Sequence, residues 1–395
     1  MSGQRGTWPL GASVTLAGLA QDPHPLLARL RAGEPVSWLP ALGGWLVTRH
    51  DLAVAVLRDD GAFTVDDPRF TTARVVGPSM LSLDGAGHDR HRAPFAPGFS
   101  RGAVEARLAS FTRAEARRLV LGLRPAGRGD LRAALAGPLA VAVIAEALGL
   151  GAVDPAVILS WYGEIVAGVS ALAGPGSQPG AAERAAAAFR LLDASLRDAL
   201  GRPAGTSLLA GAAAGGGLAT AEAVSNAAVL MFGGIETTEG MIASTLLHLL
   251  ASPEQLRVVA ADPGLVPAAV EESLRLEPAA ALVDRYATRD VQLGGAGIQA
   301  GDLVSVSLAA AGRDPAVFAG PDVFDIRRPN ARQHLAFARG PHFCLGAHLA
   351  RLEAEAAVAA ALQLLPGLRL AGPVPAAAGL VFRKPQALPA EWDPA

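Results

Sequence analysis

The single cysteine of the chain, Cys344, stands in the run Phe337-Ala338-Arg339-Gly340-Pro341-His342-Phe343-Cys344-Leu345-Gly346. Two glycines and a proline predict a tight loop there. The apolar run that follows predicts a helix from about Leu345 to Leu364, stopped by Pro366 and Gly367. A thiol at a helix start meets unpaired backbone N–H groups and the positive end of the helix dipole, which favour a thiolate able to act as nucleophile or metal ligand. Gly340 and Gly346 let backbone amides and a flat ligand approach the sulfur, and His342 adds a donor. A lone cysteine is equally at home as a small buried hydrophobe, so the thiol by itself leaves both readings open.

A second cluster, Gly233-Gly234-Ile235-Glu236-Thr237-Thr238, falls in the middle of a long apolar helix predicted from Ala221 to Leu250. Each interior glycine costs about 1 kcal/mol relative to alanine. A flat ligand lying on the helix would account for both glycines. Thr237 is four residues after Gly233, so its hydroxyl can bond that carbonyl and open a polar notch, into which Glu236 can carry protons. A kink whose threonines are satisfied by their own backbone is the alternative.

Two pairs complete the set. His88 and Arg92, in Asp84-Gly85-Ala86-Gly87-His88-Asp89-Arg90-His91-Arg92, share a helix face and form a cationic pair suited to a carboxylate, or simply a solvated face. Pro94 puts the regularity of that helix in question. Glu272 and Arg275, three apart, are by default a surface ion pair.

The spacing Phe-x-x-Gly-x-His-x-Cys-x-Gly resembles the haem-binding loop of the cytochrome P-450 family. The resemblance implies that Cys344 is the thiolate ligand of haem iron, whose electron donation favours O–O cleavage. Ala338 stands where the family usually has glycine. Gly233-Gly234-x-Glu236-Thr237 is similar to the family motif whose acid and alcohol deliver protons to iron-bound oxygen. His88, Arg92, Arg285 and His342 match the donors for the two haem propionates, partly buried anions that need paired partners. Gly233, Gly234, Phe337, Gly340 and Gly346 would lie against the haem. Glu272-x-x-Arg275 matches a structural motif that locks onto a later arginine, Arg328 or its neighbour Arg327. Phe70, Val76, Met80, Ala281, Val283, Val381 and Phe382 fall in segments that line the family's substrate pocket. Plain packing is the competing reading for Phe70, Val76 and Met80. The segment from Gly174 to Gly180 matches the family's lid over the substrate entrance. Gly312 occupies a place where the family commonly has asparagine.

The elements that must position these groups can be read as well. Pro25 to Ala32 and His50 to Arg58 predict helices, and Val36 to Leu39 with Gly44 to Thr48 predict paired strands. Asp59 to Gly77 has little periodicity and reads as a long irregular loop. Residues 103 to 200 read as mostly helical, with Leu131 to Leu150 as one core helix. Ser252-Pro253-Glu254-Gln255 reads as a capping-box start. Val291 to Leu293, Ile298 and Leu303 to Leu308 read as strands around a turn at Ala300-Gly301-Asp302.

Composition narrows the class. No Ser/Gly/Pro linker divides the chain, so residues 1–395 are expected to form one domain. With 34 basic against 36 acidic residues, neither nucleic acid nor an acidic membrane is implied as partner. No run reaches the roughly 20 uncharged apolar residues of a membrane span, and a cytoplasmic protein is expected. One cysteine precludes an internal disulfide. Lys384 is the only lysine, which reads as coding bias rather than chemistry.

These readings predict a mainly α fold with small β-sheets, the triangular prism of the cytochrome P-450 family, with haem b (iron protoporphyrin IX) between the long helix and the Cys344 loop. The implied reaction inserts one oxygen atom of O2 into an apolar organic substrate, by hydroxylation, epoxidation or oxidative coupling in bacterial secondary metabolism. The sequence offers no flavin or iron–sulfur segment. Electrons from NAD(P)H are therefore expected through an external ferredoxin and ferredoxin reductase, docking near Arg92, Arg332, Arg339 and Arg351. One rival is a non-catalytic haem-binding auxiliary protein, which has no need of Cys344, Glu236 and Thr237 together. Another is a peroxide-driven oxygenase, which needs no acid–alcohol pair. A non-haem metal site from His342, Cys344 and His348 would leave the helix glycines unexplained.

Overall fold

The computed structural model describes residues 7–173, 180–203, 205 and 207–394. Apart from Gly180, the loop expected at Gly174 to Gly180 lies outside the described residues.

The chain is organised around the helix Thr220–Leu250. Its apolar residues occupy every face rather than one stripe, so it can be satisfied only by burial all round. Gly137–Leu148, Val266–Leu276, Ala347–Leu364 and Ala181–Leu200 pack against it. At its start the Glu222 carboxylate accepts from the Ala219 N–H at 2.9 Å. The helix that follows the Cys344 loop, Ala347–Leu364, also lies along Arg101–Leu123. Pro155–Ala173 and Ala181–Leu200 form an antiparallel cover beside these.

Among the described residues there are ten short strands. They are Val36–Leu39 (β1), Gly44–Val47 (β2), Phe63–Thr64 (β3), Arg128–Asp130 (β4), Leu282–Ala287 (β5), Val291–Leu293 (β6), Ala296–Ile298 (β7), Leu303–Ser307 (β8), Arg369–Leu370 (β9) and Pro389–Glu391 (β10). The main sheet runs β1-β2-β8-β5-β3, a second β4-β10-β9, and β6-β7 is a separate hairpin. Only β2 and β8 pair in parallel. In the main sheet Arg285 pairs with Val304, which fixes where that arginine enters the interior.

Several local expectations are corrected. Asp59 to Gly77 is not irregular throughout, since it contains β3 and the helix Thr71–Val76. The helix expected over Leu131 to Leu150 runs unbroken to Leu148 but is not α-helical throughout. A π-helical turn, Arg132–Ala136, precedes Gly137–Leu148, because Pro138 has no N–H to continue the ladder and is tolerated only near a helix start. The helix Gly85–Arg92 ends before Pro94, so that proline kinks nothing. Ser252 makes no side-chain cap. Pro253 opens the next helix instead, as a residue without an N–H to satisfy. The turn expected at Ala300-Gly301-Asp302 is present between β7 and β8, and a second turn, at Gly294 and Gly295, both with positive φ (56° and 86°), joins β6 to β7. Among the described residues, no helix is long and apolar enough to cross a membrane.

Candidate active site

The Cys344 loop is held by short-range bonds. The Cys344 N–H donates to the Phe337 carbonyl at 2.9 Å, and the Phe343 N–H to the Gly340 carbonyl at 3.0 Å. Gly340 has φ 72°, and a Cβ there would overlap the Leu57 carbonyl oxygen, so glycine is required on two grounds. Ala338 has φ 57°, the one non-glycine left-handed conformation among the described residues. Its place is where the resemblance led us to expect glycine. A side chain at Gly346 would meet nothing within 4 Å.

The helix Ala347–Leu364 starts three residues after Cys344, later than the sequence suggested. The thiol therefore does not sit directly on the helix N-terminus. Burial pushes it up, opposed by the Gly346 N–H and by the positive charges of Arg92 and Arg351. Cys344 is nonetheless accessible at its surface. A side chain both accessible and enclosed by protein faces an internal cleft, not bulk water.

The central helix presents a matching accessible face. From Ala223 to Leu246 every residue is buried except Leu230, Phe232, Gly233, Gly234, Glu236 and Thr237. Of these, 230, 233, 234 and 237 follow the helical repeat and share one side. A side chain at Gly233 would meet nothing within 4 Å, whereas one at Gly234 would press on Ile144 at 3.0 Å. The two glycines thus have different causes. Gly233 leaves a ligand-accessible surface, while Gly234 admits the neighbouring helix Gly137–Leu148. The Thr237 hydroxyl donates to the Gly233 carbonyl at 2.6 Å.

Glu236 points away from Thr237. Tyr162 donates its phenol proton to Glu236 Oε2 at 2.5 Å, and Lys384 Nζ lies 2.8 Å from Oε1. Lys384 also reaches Glu239 Oε2 at 2.6 Å, and Arg132 Nε lies 2.8 Å from Glu239 Oε1. The one lysine of the chain thus bridges the two carboxylates Glu236 and Glu239.

Four cationic or donor side chains from distant segments gather beside the thiol loop. His342 Nε2 lies 2.6 Å from Asp84 Oδ1, and its ring is 4.5 Å from that of His88. Arg285 is buried close to Asp84 and donates to the Asp284 carbonyl at 2.8 Å. Arg92 donates to the Phe343 carbonyl at 2.7 Å. Burial would push Asp84 up, yet His342, Thr64 and the Val65 N–H hold it far below the carboxylate range. His88 is buried with its Nε2 lacking any partner. An orphaned imidazole nitrogen among two arginines and a second histidine fits an anionic group. With the accessible thiol and the bare helix face at Gly233, this donor set fits a flat, dianionic haem.

The supporting ion cluster is buried. Glu272 and Arg275 are 0% exposed and bond bidentately at 2.8 Å, which corrects the default of a surface pair. Arg328 Nε reaches Glu272 at 3.0 Å; Arg327 is exposed. Arg275 also donates to the carbonyls of Gly312, Pro321 and Val323. A Cβ at Gly312 would overlap the Arg275 carbonyl, which accounts for glycine there.

The expected pocket residues separate. Val76 lines a small apolar cavity with Tyr162, Ile165, Phe189, Val229 and Phe232. Phe382 meets Phe232 edge to face, with ring centroids 5.5 Å apart. Met80 and Ala281 are packed in the core, Phe70 and Val283 are half-buried outside that cavity, and Val381 is 41% exposed. Sequence reasoning missed Tyr162 and Phe232, because an aromatic on an apolar helix carries no signal beyond packing. Among the described residues no cluster of three His, Cys, Asp or Glu could hold a metal ion, so the His342, Cys344 and His348 alternative has no geometric support.

Residues 264–365 match the family model described as Cytochrome P450. A 20-oxo-5-O-mycaminosyltylactone 23-monooxygenase of Streptomyces fradiae is 34% identical, covering 98% of this chain and 92% of the relative. The cytochrome P450 monooxygenase PikC of Streptomyces venezuelae is 37% identical over 93% of this chain and 90% of its own. The chain belongs to the cytochrome P450 family. Among solved structures, cytochrome P450 CYP109Q5 from Chondromyces apiculatus superposes with a TM-score of 0.87 at 31% identity, covering 98% of this chain and 99% of that one. This P450 thus has the family's mainly helical fold with small sheets and haem iron as cofactor. It is a monooxygenase of the bacterial tailoring type rather than an auxiliary protein.

Proposed function

We propose that this P450 holds haem with Cys344 as the thiolate ligand and His88, Arg92, Arg285 and His342 around the propionates, and oxidises an apolar natural-product scaffold. The observation that carries the reading is the gathering of these donors beside an accessible but enclosed thiol, with His88 Nε2 unpartnered. The similarity to the 20-oxo-5-O-mycaminosyltylactone 23-monooxygenase of Streptomyces fradiae supports the substrate class. Apolar side chains around Tyr162 and Phe232 support it independently.

When bound, haem supplies the iron at which dioxygen is reduced and split. One oxygen atom enters a C–H bond and the other leaves as water, which consumes two electrons and two protons. The chain's own residues manage the protons. Thr237, which now bonds the Gly233 carbonyl, offers a hydroxyl beside the accessible helix face. Glu236, one residue earlier, carries protons from the charged network of Lys384, Glu239 and Arg132. Arg92 and the Gly346 N–H favour the charged form of Cys344.

The two electrons come from NAD(P)H through an external ferredoxin and its reductase. Of the four arginines considered for docking, Arg332 is exposed, while Arg92, Arg339 and Arg351 are half-buried and bonded within the protein. Arg332 is therefore the contact we assign to an acidic ferredoxin. Arg332→Glu should slow reduction by ferredoxin and leave reduction by dithionite unchanged; equal ferredoxin rates would remove the assignment.

The absorption spectrum of the reduced protein under carbon monoxide tests the whole reading. A thiolate-type Soret band is expected for the wild type and not for Cys344→Ser. A histidine-type band in the wild type would overturn it.

A further inference from the structure

Glu236 is held at both oxygens, and one of the groups that hold it, Tyr162, lines the apolar cavity. Tyr162 and Lys384 occupy its two oxygens from opposite ends of the sequence. One ring touches both arms. Phe232, one turn before Glu236, lies 5.8 Å from the Tyr162 ring and 5.5 Å from Phe382, two residues before Lys384. Burial and the neighbouring Glu236 and Glu239 carboxylates push the Tyr162 phenol far up, so it stays a donor.

Tyr162 and Phe232 also line the cavity, whose volume is about 30 Å³. That is about one water molecule's share of the liquid. Pockets for organic ligands span roughly 300–1,000 Å³. A substrate entering here displaces side chains that line the space, among them Tyr162, which donates to Glu236.

We propose that Tyr162 is a positioning residue through which a substrate in the apolar cavity releases Glu236. The inference rests on the reading of Glu236 as the proton carrier. Tyr162 and Lys384 face the two oxygens of Glu236, so the carboxylate cannot swing toward Thr237 while the bond from Tyr162 holds. A substrate pressing on Phe232 and Tyr162 breaks the bond to Oε2. The freed carboxylate turns to the Thr237 side of the helix, where it accepts a proton relayed from bulk solvent through water and returns to the carboxylate form when it passes that proton on. Proton delivery then begins only with substrate in place, and reduced dioxygen is not released as peroxide.

The chain has two tyrosines, Tyr162 and Tyr286, so carbon-13 labelling of the phenol carbon gives two resonances, assigned with Tyr286→Phe. The probe is phenylimidazole, whose nitrogen binds haem iron and whose ring enters the cavity, used with the reduced diamagnetic holoprotein. Probe binding should shift the Tyr162 resonance upfield and leave Tyr286 in place, and Glu236→Gln without probe should give a shift in the same direction. An unmoved Tyr162 resonance, with the Soret change reporting bound probe, overturns the proposal. In a second measurement Tyr162→Phe, with a surrogate ferredoxin and reductase, should release peroxide several-fold faster than wild type in the absence of substrate, with an unchanged carbon monoxide spectrum. Equal peroxide release overturns it too. Absence of the thiolate band in the wild type would instead remove the underlying haem-thiolate reading, so the two failures are distinguishable.

Discussion

Arg92 Nη2 donates to the carbonyl of Phe343 at 2.7 Å, one residue before the thiol. The same guanidinium therefore fixes the loop backbone and places positive charge near Cys344. Replacing Arg92 by alanine should raise the thiol further and loosen the loop. The expected outcome is partial conversion of the thiolate-type carbon monoxide band to a thiol-type band, increasing as pH falls, with Arg92→Lys intermediate. Unchanged band proportions would show that the charge has no influence on the ligand.

Backbone conformation of the loop gives a second pair of variants. Gly340→Ala combines a left-handed φ with overlap on the Leu57 carbonyl, so it should yield little folded holoprotein. Ala338→Gly works in the other direction. Removing a left-handed alanine relieves about 1–2 kcal/mol of strain, partly offset by the greater freedom of glycine in the unfolded chain, so a net gain of up to about 1 kcal/mol is expected in denaturant unfolding.

The buried triad is sensitive to removal of one member. Arg328→Ala leaves Glu272 with one cationic partner and frees the carbonyls of Ala319 and Gly320 from this donor, while the Val323 carbonyl keeps its bond from Arg275. A loss of about 3–5 kcal/mol is expected from breaking a buried pair. Arg327→Ala, one position away and exposed, should lie within about 0.5 kcal/mol of wild type.

Acid should destabilise the fold in two stages. Burial holds His248 down from 6.5 to about 4, so the folded state binds fewer protons than the unfolded one between those values and stability falls as pH drops through that window. Burial alone would raise Glu277, but His24 and Arg383 bring it from 4.5 to about 2. Its contribution is complete above pH 4.5 and lost as pH falls towards 2, a change on the order of 3 kcal/mol. Glu271, held to about 2 against burial by His334 and Arg351, adds to the same lower stage. Thermal unfolding from pH 7 to 3 should show both stages. His248→Gln should flatten the upper one, and Glu277→Gln should lower Tm at pH 7 while reducing the slope below pH 4.5.

What could be read in advance follows from how local each signal is. Cys344, Gly340 and the Glu236-Thr237 pair announce themselves by residue type and spacing within a few positions. So do helices such as His50–Arg58, whose bounds match the expectation. The tether on Glu236 was invisible, since Tyr162 is an ordinary aromatic on an apolar helix and Lys384 arrives from 148 positions further along than Glu236. The second reason for Gly234, its close approach to Ile144 of a neighbouring helix, was not legible, since a sequence does not show which glycine admits another helix. Arg328 rather than Arg327 reaches Glu272 because of the turn after Asp325, whose carbonyl accepts from the Arg328 N–H at 3.0 Å.

The same long reach governs how the chain is born. Buried Arg383 donates to the Ala20 carbonyl at 2.9 Å across 363 positions, and the Gly379 N–H donates to the same carbonyl at 2.8 Å. A ribosome adding roughly 5–20 residues per second leaves the Leu16–Gln21 helix waiting on the order of 20–70 s for these partners. Through nearly all of translation, the first helices are nascent chain exposed to chaperones and proteases. The carboxyl-terminal turn that brings Lys384 to Glu236 is also the clasp that ends that exposure.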